Sequence, residues 1–239
     1  MSRDWSPYVP VYDRVLCRTA TYRSLLTDLL GRSGPLPRLR DGTVILDCGS
    51  GTGNLCRALV DELPGTTVVA VDRDPAMAEM FRQKLADRVS AVPRSGRVCF
   101  LAGDLMDVFP VLAEHGLRPD YAFLVNVLYL LDDPAGVLRA IAGCLRPGGE
   151  LRVSNPDERT DLEALLRQFQ QDLLHDGRLA ELGDDFEVLK RFNRQELSSA
   201  LHRLSGADIR RLLLESGFRI TRGSHRHYAG QSLLLSART

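Results

Sequence analysis

The stretch Val44-Ile45-Leu46-Asp47-Cys48-Gly49-Ser50-Gly51-Thr52-Gly53 sets an acid and three alternating glycines directly behind an apolar run. Glycine lets a backbone take up positive φ and come close to a ligand. A helix that begins just beyond such a turn offers free amides to an anionic group. Asp72 closes a second apolar run, Val68-Val69-Ala70-Val71, where one carboxylate can accept from the hydroxyls of a ribose. Asp104 closes a third, within Leu101-Ala102-Gly103-Asp104-Leu105. Asn126 and Tyr129 follow a fourth, Tyr121 to Val125. His225 and His227 stand at alternate positions near the end of the chain. Either could take a proton from a nucleophile, and no third ligand is apparent that would make them a metal site.

These residues need elements to carry them. Apolar runs predict strands at Thr43 to Cys48, Thr66 to Val71, Arg97 to Leu101, Tyr121 to Val125 and Glu150 to Ser154. Between them, helices are predicted over Asn54 to Leu63, Pro75 to Val89, Leu105 to Glu114 and Pro134 to Leu145. Asp74 suits the N-cap of the second of these, and Pro75 its first position. Strands alternating with helices make βαβ units and a parallel sheet. The near-continuous apolarity of the strands fits burial on both faces. After Asn155-Pro156 the rhythm breaks. Asp157 to His175 reads as an amphipathic helix, Gly177 to Asn193 as irregular and charged, and Arg194 to Leu204 and Ala207 to Ser216 as further helices. Strands from Phe218 to about Arg226 and from Ser232 to Ala237 close the chain. So long a stretch between strands suggests a lid or a substrate-facing wall.

The pattern Asp47-x-Gly49-x-Gly51-x-Gly53 after a first strand resembles the hallmark of class I S-adenosylmethionine-dependent methyltransferases. Leu145-Arg146-Pro147-Gly148-Gly149 matches the family's turn before its fifth strand, and Leu214 to Phe218 with two terminal strands resembles its C-terminal end. The resemblance is dense over Val44 to Asn155, loose over Ala207 to Ala237, and silent over Asp157 to Ser205. It implies an α/β fold: a doubly wound, mostly parallel seven-stranded sheet with helices on both faces, an antiparallel C-terminal strand and a helical insertion between strands 5 and 6. It also implies S-adenosyl-L-methionine as cofactor. Asp47, Gly49, Ser50, Gly51, Thr52 and Gly53 would cradle its methionine and ribose portions, and Asp72, with Arg73 beside it, its ribose. Asp104 and Leu105 would read the adenine, and Asn126 would contact the amino group. In that family the N-terminal segment often closes over the cofactor, which brings in Tyr12 and Tyr22. The catalytic candidates are Tyr129, His225 and His227; Tyr8, Tyr12 and Tyr22 are further candidates for a base.

The implied organisation is an N-terminal helical cap (1–42), a Rossmann-like cofactor-binding core (43–155), a helical insertion forming a substrate lid (156–205), and a C-terminal helix with strands completing the sheet (206–239). The expected activity is methyl transfer (EC 2.1.1) to a small-molecule nucleophile by in-line displacement. RNA or protein methylation, and a non-catalytic cofactor-binding scaffold on the same fold, are the alternatives. A nicotinamide dehydrogenase fits less well, because the turn lacks the G-x-G-x-x-G spacing.

Composition narrows the field further. Thirty-one basic residues balance 31 acidic ones, so the chain lacks the basic excess of a nucleic-acid binder. Lys84 and Lys190 are its only lysines. Arg203, Arg210, Arg211, Arg219, Arg222 and Arg226 are interspersed with apolar residues, as on solvated faces. Five scattered cysteines without a C-x-x-C pair predict neither a disulfide framework nor a zinc site, and suit a cytoplasmic setting. No apolar run reaches the roughly 18 residues of a membrane span, and Met1 to Pro10 lacks the features of a signal peptide. The apolar face of Asp157 to His175 would cover either a pocket or a second copy of the chain in a homodimer.

Overall fold

The computed structural model describes residues 5–198 and 204–239, except the side chains of 196–198 and 223–225. Two helices come first, α1 (Val9–Leu16) and α2 (Ala20–Leu29). Then strand and helix alternate: β1 (Val44–Cys48), α3 (Asn54–Glu62), β2 (Thr67–Asp72), α4 (Pro75–Lys84), β3 (Val89–Ser90), β4 (Val98–Ala102), α5 (Val108–Glu114), β5 (Tyr121–Val125), α6 (Pro134–Cys144) and β6 (Glu150–Asn155). Helices α7 (Leu162–His175), α8 (Leu179–Ser198) and α9 (Gly206–Glu215) precede the hairpin β7 (Arg219–His227) and β8 (Ser232–Arg238).

The strands form one sheet in the order β3-β4-β2-β1-β5-β6-β8-β7. Pairings from β3 to β6 are parallel, and β8 runs antiparallel to both neighbours. The sheet is thus the expected doubly wound one, with one strand more than anticipated. That extra strand arises because α4 stops at Lys84, five residues short of the predicted end, and Val89 and Ser90 instead pair with Val98 and Cys99.

Each face of the sheet carries its own core. On one, α1 to α4, α7 and α8 bury residues such as Leu25, Leu59, Phe81, Phe169 and Phe186. On the other, α5, α6 and α9 bury Val108, Ile141 and Leu213. The segment expected to be irregular, Gly177 to Asn193, lies almost entirely within the 20-residue helix α8. Its buried Leu182, Phe186 and Leu189 follow a helical four-then-three spacing and pack α8 into the first core.

Arg152 on β6 is fully buried. Its Nε bonds Glu150 Oε1 at 2.9 Å, and Nη1 and Nη2 donate to the carbonyls of Leu29 and Pro37 at 2.5 and 2.6 Å. A buried charge is tolerable when paired and hydrogen-bonded in this way. Here it also ties the end of α2 and the loop after it to the sheet.

Candidate active site

Parallel strands β1, β2, β4 and β5 all end at the same edge, and a cavity of about 1120 Å³ opens there. Asp47, at the end of β1, is buried and accepts from the Cys56 thiol at 3.1 Å. Burial pushes its carboxyl up to about 7; the Cys56 thiol opposes that rise and the nearby Asp72 charge adds to it. The glycine-rich turn then doubles back, with the Gly49 and Ser50 amides donating to the Val71 carbonyl at 2.9 and 3.0 Å. Gly49 has φ +73°, and a Cβ there would lie 2.4 Å from Val127 Cγ2. At Gly53, φ is +83° and a Cβ would meet Phe81 at 2.7 Å. That glycine therefore serves packing and, unlike its neighbours, is absent from the cavity lining.

Asp72, ending β2, accepts from the Gly51 amide at 2.7 Å and the Asp74 amide at 3.0 Å. It thereby fixes the turn and the start of α4, where Asp74 caps Ala76 and Met77. Burial is the main cause of the upward shift of its carboxyl. Asp104 caps the short turn at Leu105–Asp107, accepting from the Met106 amide at 2.9 Å. Asn126 follows β5 with φ +56°, in the left-handed region that Asn tolerates better than most residues. Tyr129 lies in the turn Leu128–Leu130 and lines the same cavity.

Of the residues singled out for a cofactor, Asp47, Gly49, Ser50, Gly51, Thr52, Asp72, Arg73, Asp104, Leu105, Asn126, Tyr12 and Tyr22 all line the cavity. His227 does not. It is buried in the sheet, with Nε2 2.9 Å from Ser154 Oγ and Nδ1 3.5 Å from Asp28 Oδ2. The backbone of His225 pairs with Leu234, but its side chain falls outside the described residues. Among the described residues no group of three His, Cys, Asp or Glu could hold a metal ion, and no helix is long and apolar enough to cross a membrane.

Sequence reasoning missed the device that joins the N-terminal helices to this edge. Asp13 of α1 accepts from Thr52 Oγ1 at 2.7 Å and Asn54 Nδ2 at 2.9 Å, and pairs with Lys84 Nζ at 2.5 Å. Lys84 also donates to Thr52 Oγ1 and Asn54 Oδ1, while Asn54 reaches the Tyr22 hydroxyl at 3.2 Å and Tyr12 donates to that hydroxyl at 3.4 Å. One signal was available: Lys84 is a rare lysine in a chain whose other cations are nearly all arginine.

A family model described as a methyltransferase domain matches residues 18–222. This chain belongs to the class I S-adenosylmethionine-dependent methyltransferases. It is 30% identical over 155 residues to a trans-aconitate 2-methyltransferase of Acidovorax sp. (strain JS42), covering 64% of this chain and 50% of that protein. The chain spans about half the length, or less, of the curated relatives it matches first. The fold is similar to that of an S-adenosylmethionine-dependent methyltransferase from Aquifex aeolicus, with TM-score 0.59 at 14% identity over 99% of both chains. It is also similar to that of mitomycin 7-O-methyltransferase, with TM-score 0.56 at 25% identity over 91% of this chain and 54% of that one.

The residues present fit the family's cofactor. One acid ends β2 and another, Asp104, follows two residues after β4, where ribose hydroxyls and an adenine amino group would need acceptors. Ser50 Oγ lies buried in the glycine-rich turn without a partner among the described residues. A Cβ on Gly51 would meet nothing nearer than Met77 Sδ at 3.9 Å, so the turn leaves its cavity side open.

Proposed function

We propose that this chain transfers a methyl group from S-adenosylmethionine to a small molecule enclosed between the glycine-rich edge and the helices that face it. The observation that carries this reading is the continuity of the cavity. It runs from Asp72 and Asp104 at the strand ends to Phe169 of α7, Asn193 of α8 and Tyr228 after β7. Its volume exceeds the 300–1,000 Å³ or so of an ordinary single-ligand site. That leaves room for a nucleoside cofactor and a second molecule together. The trans-aconitate methyltransferase relatives also point to a small-molecule acceptor.

When bound, S-adenosylmethionine would supply a methyl activated by its sulfonium, the sulfur retaining the bonding electron pair as the acceptor takes the methyl. The protein's task is then to orient and to exclude water. Asp72 and Asp104 would hold the nucleoside, and Asp47 and the turn beyond it the amino-acid portion. Burial drives the pKa of Tyr12, Tyr22 and Tyr228 upward. At neutral pH these phenols stay protonated, so they serve as hydrogen-bond donors rather than as bases. The helical segment within 156–205 would form the wall that closes over the acceptor.

Calorimetric titration with S-adenosylmethionine, its demethylated product and NADH tests the reading on wild type and Asp72→Ala. Micromolar binding of the first two is expected, weakened about 100-fold in the variant, with no NADH signal. Absence of binding by either sulfur compound would overturn it.

A further inference from the structure

The charged residues lining the cavity, Asp47, Asp72, Arg73, Asp74, Asp104 and the pair Asp132 and Asp133, all come from the strand-end edge. The lining contributed by α1, α2, α7, α8 and the β7–β8 turn has a different character. Among the described residues it presents aromatic, aliphatic and uncharged polar side chains, and no Asp, Glu, Lys, Arg or His. A charge placed against such a wall would lose its hydration and find no counter-charge.

Tyr228 is part of this wall. It has φ +56°, a conformation that bulky side chains rarely adopt. Its ring lies 5.6 Å from that of Phe169 and 6.4 Å, edge-on, from that of Tyr22. Its side chain is largely buried and lines the cavity. Among the described residues its hydroxyl makes no hydrogen bond, yet it is not one of the fully buried unpartnered atoms, so it remains accessible from the cavity. A phenol hydroxyl that opens to a cavity without a protein partner has one donor to offer to whatever occupies the space.

We infer that the acceptor is an uncharged, ring-bearing molecule with an oxygen that accepts from the Tyr228 hydroxyl, and that polycarboxylates are excluded. This rests on the reading of the cavity as a methyltransferase site and names its substrate class. It also parts this chain from its trans-aconitate relatives, whose named acceptor carries three carboxylates. Such a molecule would need cations on the wall. Among the described residues the one arginine lining the cavity, Arg73, sits at the opposite edge, directly after the residue that ends β2. The high pKa of Tyr228, caused first by burial, keeps its proton in place to donate.

The test uses the protein saturated with S-adenosylhomocysteine, titrated with 2-naphthol and separately with trans-aconitate, for wild type and Tyr228→Phe. We expect 2-naphthol to bind and Tyr228→Phe to weaken it about five-fold, the loss of one net hydrogen bond. Trans-aconitate should give no binding at the same concentrations. Tighter binding of trans-aconitate than of 2-naphthol, no binding of 2-naphthol, or equal 2-naphthol affinity in wild type and variant would each overturn the inference. Saturation by S-adenosylhomocysteine is recorded first. A failure of the cofactor reading is therefore distinguishable from a failure of the acceptor class.

Discussion

The two sides of the cavity are built on different principles. The strand-end edge is charged, and its charges are largely engaged with the protein itself. Asp72 holds two backbone amides, Asp104 caps a turn, and Asp47 is buried against a thiol. The facing wall is uncharged among the described residues and is assembled from helices and a hairpin far apart in sequence. The edge therefore presents a fixed polar pattern suited to the family's cofactor. The wall presents shape and aromatic surface, which can change without disturbing that pattern. Three substitutions probe the contrast: one in the edge, one at the joint between the two sides, and one in the wall.

The largest effect is expected at Asp47. A carboxyl with an ordinary pKa of about 3.9 in the unfolded chain is raised to about 7 in the fold. The folded state then binds the extra proton between these values. The favourable contribution is fully present below about pH 4 and is lost as pH rises towards 7. Asp47→Asn cannot titrate. The unfolding free energy of wild type relative to that variant should therefore fall by about 3 kcal/mol from pH 5 to pH 8. Urea denaturation of both proteins across that range measures it. A pH-independent difference would show that the edge does not hold this acid neutral.

The joint comes next. Lys84→Met removes the ion pair to Asp13 and the bonds to Thr52 and Asn54, leaving Asp13 its two uncharged donors. A charge-assisted hydrogen bond contributes about 1.5–3 kcal/mol, so a loss of about 2 kcal/mol is expected. A double-mutant cycle with Asp13→Asn should give a coupling of at least about 1 kcal/mol. S-adenosylhomocysteine affinity should drop about ten-fold in Lys84→Met, because α1 is no longer tied to the turn. Additive stabilities together with unchanged affinity would mean that wall and edge are held together elsewhere, as through Arg152.

The same contrast explains what the sequence made legible. The edge is written locally: an acid after an apolar run, glycines at fixed spacing, a proline at the first helical position. Every strand that carries it could be placed before the structure was known. The wall depends on contacts between distant segments. Tyr228 meets Phe169 and Tyr22 across intervals that no local pattern records. Asp13 and Lys84 are joined only because α1 folds over the edge. Helix α8 was hidden for another reason. Gly177, Gly183 and the charged run Asp184-Asp185 argue for irregular chain, while only a narrow stripe, Leu182, Phe186 and Leu189, argues for a helix. Burial of that stripe against α1 and α7 outweighs the weak local propensity. His227 shows the converse error. Its place near the chain's end offers it as a proton acceptor, but the side chain is buried in the sheet against Ser154.

The smallest effect lies in the wall's hairpin. Residues 228–231 form the tight turn between β7 and β8, closed by the Gln231 amide on the Tyr228 carbonyl at 3.1 Å. Its central residues, Ala229 and Gly230, have φ +55° and +76°, the signs of a type I′ turn. Glycine is at home in that conformation, whereas alanine bears a penalty of about 1–2 kcal/mol there. Ala229→Gly relieves this strain but adds unfolded-chain entropy of about 0.5–1 kcal/mol. The net expectation is a gain of about 0.5–1 kcal/mol in unfolding free energy. Ala229 is exposed, so no packing is lost. The gain should come without a change in S-adenosylhomocysteine affinity, since the edge is untouched. A destabilised Ala229→Gly would mean that the turn is not held left-handed in solution. Tyr228 would then lose the backbone that aims it at the cavity, and the contrast between a polar edge and an aromatic wall would weaken at the residue on which it most depends.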